Sequence, residues 1–187
     1  IVGNITLKAH EKTHIRALKT YPDIKKQSVR LEISLNNTTG QTTEGRLELT
    51  LREKGSKKVT ALTLPVQLEK GDNRLTSELT IGKNMRLWNE FTPNLYEIEA
   101  TWIAGQQKDS RTSCFGMREV EQGSHHVRIN GRNIHLRGVL DCCVFPLTGY
   151  PSTCPEDWKR IFRTVKDYGM NHIRFHSWCP PEAAFEA

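Results

Sequence analysis

Val29-Arg30-Leu31-Glu32-Ile33-Ser34-Leu35-Asn36 decides how the first half of the chain is read. Apolar and polar residues alternate without a break, and a period of two puts Val29, Leu31, Ile33 and Leu35 on one face of a strand. Asn36-Asn37-Thr38-Thr39-Gly40 then supplies turn chemistry. The alternation returns at Leu47, Leu49 and Leu51, and again at Leu62, Leu64, Val66 and Leu68. After a turn at Lys70-Gly71-Asp72-Asn73 it continues at Leu75, Leu79 and Ile81. Tyr96, Ile98, Ala100 and Trp102 give a further strand, followed by one near Arg111 to Phe115. No helical period occurs before residue 112. Short strands separated by turns predict two packed antiparallel sheets, an immunoglobulin-like β-sandwich over residues 1–115, with Leu31, Ile33, Leu49 and Ile98 inside.

The pattern changes after Gly116. Residues 116–133 hold two short strand-like pieces around Gly123-Ser124 and Asn130-Gly131, which reads as a connecting hairpin. Ile134, Leu136 and Val139 predict a strand over 134–139. Between Thr153 and Gly169 the period becomes helical, with Trp158, Ile161, Phe162, Val165 and Tyr168 on one face. Pro155 suits the first turn of that helix and Gly169 its C-terminal end. Asn171-His172-Ile173-Arg174-Phe175-His176 is again a strand, and Pro180-Pro181-Glu182 opens a second helix. Strand, helix, strand and helix start form the repeat of a parallel α/β fold over 134–187.

Composition narrows the function. The 187 residues carry 27 Lys and Arg against 21 Asp and Glu, a formal charge of +6. The excess lies early, since residues 1–30 hold seven cations and two acids while 155–187 hold five of each. These cations alternate with apolar residues or sit in loops without an aromatic stacking platform, so a solvated face is read in preference to a nucleic-acid surface. No run reaches the roughly twenty apolar residues that span a bilayer. Ile1-Val2-Gly3-Asn4 shows neither an initiator Met nor a leader pattern, which reads as a chain beginning mid-protein or after processing. Five Cys, including the vicinal pair Cys142-Cys143, make no disulfide framework. A zinc site from Cys142, Cys143, Cys154 and Cys179 lacks the C-x-x-C spacing, so no metal and no cofactor is expected.

Four stretches carry a resemblance. They are Trp88-Asn89-Glu90-Phe91-Thr92-Pro93-Asn94-Leu95-Tyr96, Phe115-Gly116-Met117-Arg118, the run from Asn130-Gly131 to Leu136-Arg137-Gly138-Val139, and Gly169-Met170-Asn171-His172-Ile173-Arg174. In this order they resemble the W-x-x-x-x-P-x-L-Y, F-G-x-R, N-G-x-x-x-x-L-R-G-V and G-x-N-x-x-R segments of the family 2 glycoside hydrolases, the group of β-galactosidases, β-glucuronidases and β-mannosidases. The resemblance implies that residues 134–187 are the first β-α-β portion of a truncated (β/α)8 TIM barrel, with carbohydrate as substrate and a periplasmic or secreted location. It implies retaining hydrolysis of a terminal β-glycoside, β-galactoside or related, by two glutamates that lie beyond Ala187. The chain itself is then expected to be inactive, and its incomplete barrel to self-associate. A rival reading is a stand-alone sandwich module that binds carbohydrate or protein.

By the same resemblance Arg174 matches the arginine that hydrogen-bonds the nucleophilic glutamate. His172, Arg174 and His176 alternate with Ile173 and Phe175, so the polar trio is expected to face the barrel interior. His176 is a candidate substrate contact, although the family's R-x-S-H order is shifted by one in Arg174-Phe175-His176-Ser177. Asp141, where Leu140-Asp141-Cys142-Cys143 replaces the family's N-x-H-E, is a substrate-subsite candidate, and Trp178 could stack on a sugar. Glu90 follows an asparagine as the family's acid/base does, but its place in the sandwich marks it as a surface carboxylate.

Overall fold

The computed structural model describes residues 5–187, so Ile1-Val2-Gly3-Asn4, read above for a leader pattern, lies outside the described residues. The chain is mainly β, with 50% strand and 10% helix. It divides into one unit over 9–133 and a second that contains 134–187.

In the first unit, seven strands follow one another: β1 (Thr13–Asp23), β2 (Ser28–Asn37), β3 (Thr43–Glu53), β4 (Val59–Leu68), β5 (Gly71–Thr80), β6 (Tyr96–Ala104) and β7 (Gln107–Phe115). They form two antiparallel sheets in the orders β1-β2-β5 and β4-β3-β6-β7. The alternation read from sequence fixes which face turns inward. Val29, Leu31, Ile33 and Leu35 of one sheet and Leu47, Leu49, Ile98, Ala100 and Trp102 of the other are fully buried in a single core. Each such Leu or Ile contributes about 1.5–3 kcal/mol by leaving water. β4 is an edge strand, which is why Pro65 is tolerated in it.

Buried polar groups join the sheets. Thr13 Oγ1 donates to Gln107 Oε1 at 2.9 Å and accepts the Trp102 indole N–H at 3.0 Å, while Asp109 Oδ2 accepts the backbone N–H of Ile15 at 2.7 Å. Asn37 Nδ2 donates to the carbonyls of Gln41 (2.8 Å) and Leu68 (3.1 Å), tying the end of β2 to the opposite sheet.

Three short strands follow: β8 (Val120–Gln122), β9 (Val127–Ile129) and β10 (Arg132–Ile134), in the order β10-β9-β8. They turn at the two expected Gly-containing sites. The motif residues converge here. Trp88 N–H donates to the Met117 carbonyl at 2.9 Å, Arg118 lies over the Trp88 ring at 4.4 Å, and Asn130 Nδ2 donates to the Trp88 carbonyl at 2.9 Å. Gly116 is required because a Cβ there would lie 2.7 Å from Trp88 Cβ. Glu90 corrects the surface-carboxylate expectation. It is half-buried, paired with Arg132, and its second oxygen is buried without a partner among the described residues. The Arg132 hydrogen bond holds its pKa below the ordinary carboxylate value.

The second unit contains β11 (Gly138–Asp141), α1 (Pro155–Asp167), β12 (His172–Phe175) and α2 (Glu182–Glu186). β11 and β12 pair in parallel, Gly138 with His172 through Asp141 with Phe175. The strand expected over 134–139 is thus displaced: Ile134 closes β10, and residues 135–137 carry no ladder. Leu136 is 44% exposed, so its apolar character reflects no buried face. Asn171 anchors that gap instead, its Oδ1 accepting Arg137 N–H at 2.9 Å and its Nδ2 donating to the His135 carbonyl at 3.0 Å. α1 starts on Pro155 and gives way to Gly169 at φ 73°. Its Trp158 is fully buried with Ala183 and Ala184 of α2, among Phe145, Phe162, Phe175 and Trp178.

Candidate functional site

The candidate site is the end of the parallel pair, where the loops after β11 and β12 begin. Phe175 meets the Trp158 ring edge-on at 6.1 Å, and Ile173 lines a cleft with Ile161 and Val165 of α1. Alternation therefore puts His172 and Arg174 on the face turned away from α1. Arg174 is exposed and makes no ion pair among the described residues. Its register partner is Leu140, whereas Asp141 pairs with Phe175. Asp141 thus belongs to the helix-side row, and the structure does not bring its carboxylate to Arg174.

Asp141, His176 and Trp178 are brought together, through backbone chemistry. The Asp141 carbonyl accepts the His176 N–H at 2.8 Å and the Trp178 indole N–H at 3.1 Å. Its Oδ1 accepts the Cys143 N–H at 2.8 Å, the short-range cap an aspartate makes at a turn. Cys143 and Ser177 both hold left-handed backbone, φ 60° and 62°, at a cost on the order of 1 kcal/mol each. Asp141 therefore pins both loops at once. The His176 ring is exposed, with Nδ1 3.2 Å from Ser177 Oγ. The half-buried Trp178 ring stands edge-on to Phe175 (5.3 Å) and Phe145 (6.0 Å), so packing holds its orientation.

The cysteines are free and exposed, and among the described residues no group of three or more His, Cys, Asp or Glu is arranged to hold a metal ion. Cys154 ends the loop ahead of α1, donating its thiol to Glu156 Oε2 at 3.1 Å; that bond, with the backbone and Lys159, lowers the Glu156 pKa. Within 134–187, Asp141 is the one acid at a strand end among the described residues; the other acids lie on α1 or α2. Sequence reasoning passed over Asn171 as a functional residue. Its signal was the spacing, two residues beyond a helix-ending glycine and three before Arg174.

A family model described as glycosyl hydrolases family 2 matches residues 13–118. A β-galactosidase of Thermoanaerobacterium thermosulfurigenes is 26% identical over 124 residues, 66% of this chain and 17% of that protein. A β-galactosidase of Photobacterium profundum is 30% identical over 89 residues, 46% of this chain and 8% of its own length. The chain therefore spans less than a fifth of the curated relatives it matches. Among solved structures, Bacteroides uniformis β-glucuronidase 2, covalently bound to cyclophellitol-6-carboxylate aziridine, superposes with a TM-score of 0.78 at 21% identity, over 94% of this chain and 23% of its own. A family 2 β-galacturonidase from Eisenbergiella tayi bound to galacturonate gives 0.75 at 20% identity, over 94% of this chain and 30% of its own. At these identities the superpositions speak for the fold.

Proposed function

The chain belongs to the glycosyl hydrolases family 2, and from that membership we propose that it is the immunoglobulin-like sandwich and opening β-α-β of a (β/α)8 barrel in a retaining β-glycosidase, β-galactosidase-like in its substrate. The observation that carries this reading is the alternation along β12 of the parallel pair, which sets Arg174 with His172 on the face turned away from α1, its guanidinium unpaired among the described residues. A cation in a barrel lumen needs an anionic partner. The nucleophilic carboxylate of a retaining glycosidase is such a partner, and a planar fork holds it ionised and oriented. In this reading Arg174 is a positioning residue. In the same reading Asp141 acts through its backbone and turn cap, holding the loops that bring the His176 ring and the edge of Trp178 to the sugar subsite.

Retaining cleavage needs an acid and a nucleophile roughly 5–5.5 Å apart. With Asp141 the single strand-end acid of 134–187 among the described residues, both glutamates are assigned to chain outside these 187 residues. The test is hydrolysis of an aryl β-galactoside followed by NMR of the first-formed anomer. The whole protein is expected to release the β-anomer and the 187-residue chain to show no turnover. Release of the α-anomer, or turnover by the chain alone, contradicts the reading.

A further inference from the structure

The antiparallel order gathers the β1–β2, β3–β4 and β5–β6 links at one end of the two-sheet unit. Ile81 N–H donates to the Gln27 carbonyl and Lys54 N–H to the Leu95 carbonyl, both at 2.8 Å, which ties the three links together. The first link holds Lys25 and Lys26, the second Lys54, Lys57 and Lys58, the third Lys83 and Arg86, against the single acid Glu90. The links at the other end, 38–42, 69–70 and 105–106, carry only Glu69 and Lys70. The basic excess of this unit's links is therefore sorted to one end rather than spread as a solvated face.

Neighbouring acids neutralise only part of that end. Glu119 takes Lys25, Asp23 takes Lys26, Glu53 takes Arg86 and Glu97 takes Arg52. Lys54, Lys57, Lys58 and Lys83 are exposed and have no ion pair among the described residues. Lys58, Ser56, Asn84, Arg52 and Glu53, the last paired with Arg86, edge a cleft of ≈ 160 Å³ floored by Leu51, Ile81 and Tyr96. A cleft this small holds no enclosed ligand, since such sites run to about 300–1,000 Å³. It suits a side group of a chain lying across the surface.

We infer that this end of the sandwich is a non-catalytic docking surface for an anionic polysaccharide, one whose uronate carboxylates meet the four unpaired lysines. The choice of a saccharide rests on the glycosidase reading, and a second observation sets it against nucleic acid. The rings nearby form no row of stacking platforms: Tyr96 is buried, Trp88 is half-buried under Arg118, and Phe91 alone of the three is exposed, with Arg132 5.5 Å from its centroid. Single-stranded nucleic acid gains much of its affinity by stacking bases on free rings. An extended uronan needs charge alone, and contacts of this kind weaken as salt shortens the screening length, about 10 Å at 0.1 M.

Binding of the 187-residue chain to polygalacturonate is measured by isothermal titration at low and at 0.3 M salt (about 5–6 Å screening), with a neutral galactan and a single-stranded DNA as comparison ligands. The patch variant replaces Lys54, Lys57, Lys58 and Lys83 with Glu. A control variant makes the same charge change elsewhere, at Lys19, Lys70, Lys108 and Lys159, and circular dichroism verifies that both fold. The expected result is salt-sensitive polygalacturonate binding that falls at least about 10-fold in the patch variant and less than about 3-fold in the control. Equal losses in both variants, absence of binding, or tighter binding to DNA overturns the inference. None of these outcomes touches hydrolysis by the whole protein, so the glycosidase reading stands or falls separately.

Discussion

Trp158→Ala removes the centre of the second unit. Trp158 is fully buried, its ring lies 5.7–6.4 Å from those of Phe145, Phe162, Phe175 and Trp178, and its indole N–H donates to the Ser152 carbonyl at 2.7 Å. A buried Trp→Ala change costs about 3–5 kcal/mol through lost transfer energy and the cavity left behind. The orphaned carbonyl and the lost aromatic pairs push toward the top of that range. Its buried companions, Ala183 and Ala184 of α2, are too small to fill the space. The assay is amide hydrogen exchange. Protection over 138–141 and 172–175 should fall by roughly 10²–10³-fold or vanish, while 29–35 and 98–102 keep theirs. Trp158→Phe, which retains most of the ring contacts, should lose far less. Unchanged protection over 172–175 in Trp158→Ala, with the protein folded, refutes the claim that this ring holds the parallel pair against α1.

Asn171→Ala should destabilise the same pair by about 1–3 kcal/mol, because the His135 carbonyl and Arg137 N–H both lose their partner; exchange at Gly138 through Asp141 reports it. Asn171→Asp keeps the acceptor for Arg137 but sets an oxygen against the His135 carbonyl, so it should rescue little. Gly116→Ala should lower the melting temperature of the sandwich by several degrees, since its Cβ would meet Trp88 at 2.7 Å, a clash worth about 1–3 kcal/mol; near-ultraviolet circular dichroism follows the melt. The Glu90–Arg132 pair makes stability acid-sensitive. Because the folded pKa of Glu90 is depressed, its stabilisation is present above the unfolded value near 4.5 and is lost as pH falls through the folded one. Urea midpoints between pH 5 and 3 should therefore drop more in the wild type than in Glu90→Gln.

Much of this fold was legible because half-buried strands keep a strict period. Leu31, Ile33, Leu49 and Ile98, expected inside, are fully buried, and α1 begins at Pro155 as the sequence suggested. β1 escaped notice for a physical reason. A register shift between Ile15 and Ala17 leaves Arg16 unpaired, so the inward residues run Thr13, Ile15, Leu18 and the alternation fails midway. The turn expected at 70–73 is shorter than its composition implied, because Asn73 bonds back to Glu69 N and O and lets β5 begin at Gly71. Ile134 and Leu136 misled in the opposite sense, being apolar without a shared buried face. At the site, the alternation of His172 and Arg174 against Ile173 and Phe175 was readable. That Asp141 falls on the other row was not, since it depends on the partner strand's register. Glu90 shows the same limit, because Arg132 reaches it across 42 residues of sequence.

The role proposed for Arg174, holding the nucleophile of a family 2 β-glycosidase, is tested most directly by aryl β-galactoside hydrolysis by the whole protein carrying Arg174→Ala. Loss of that fork should lower kcat/KM by a factor on the order of 10² or more, roughly 3 kcal/mol of transition-state stabilisation. Arg174→Lys should recover little of it, because a point charge cannot reproduce two parallel hydrogen bonds. The fall should appear mainly in kcat, with the melting temperature kept. A folded Arg174→Ala protein with near-normal kcat/KM contradicts the account.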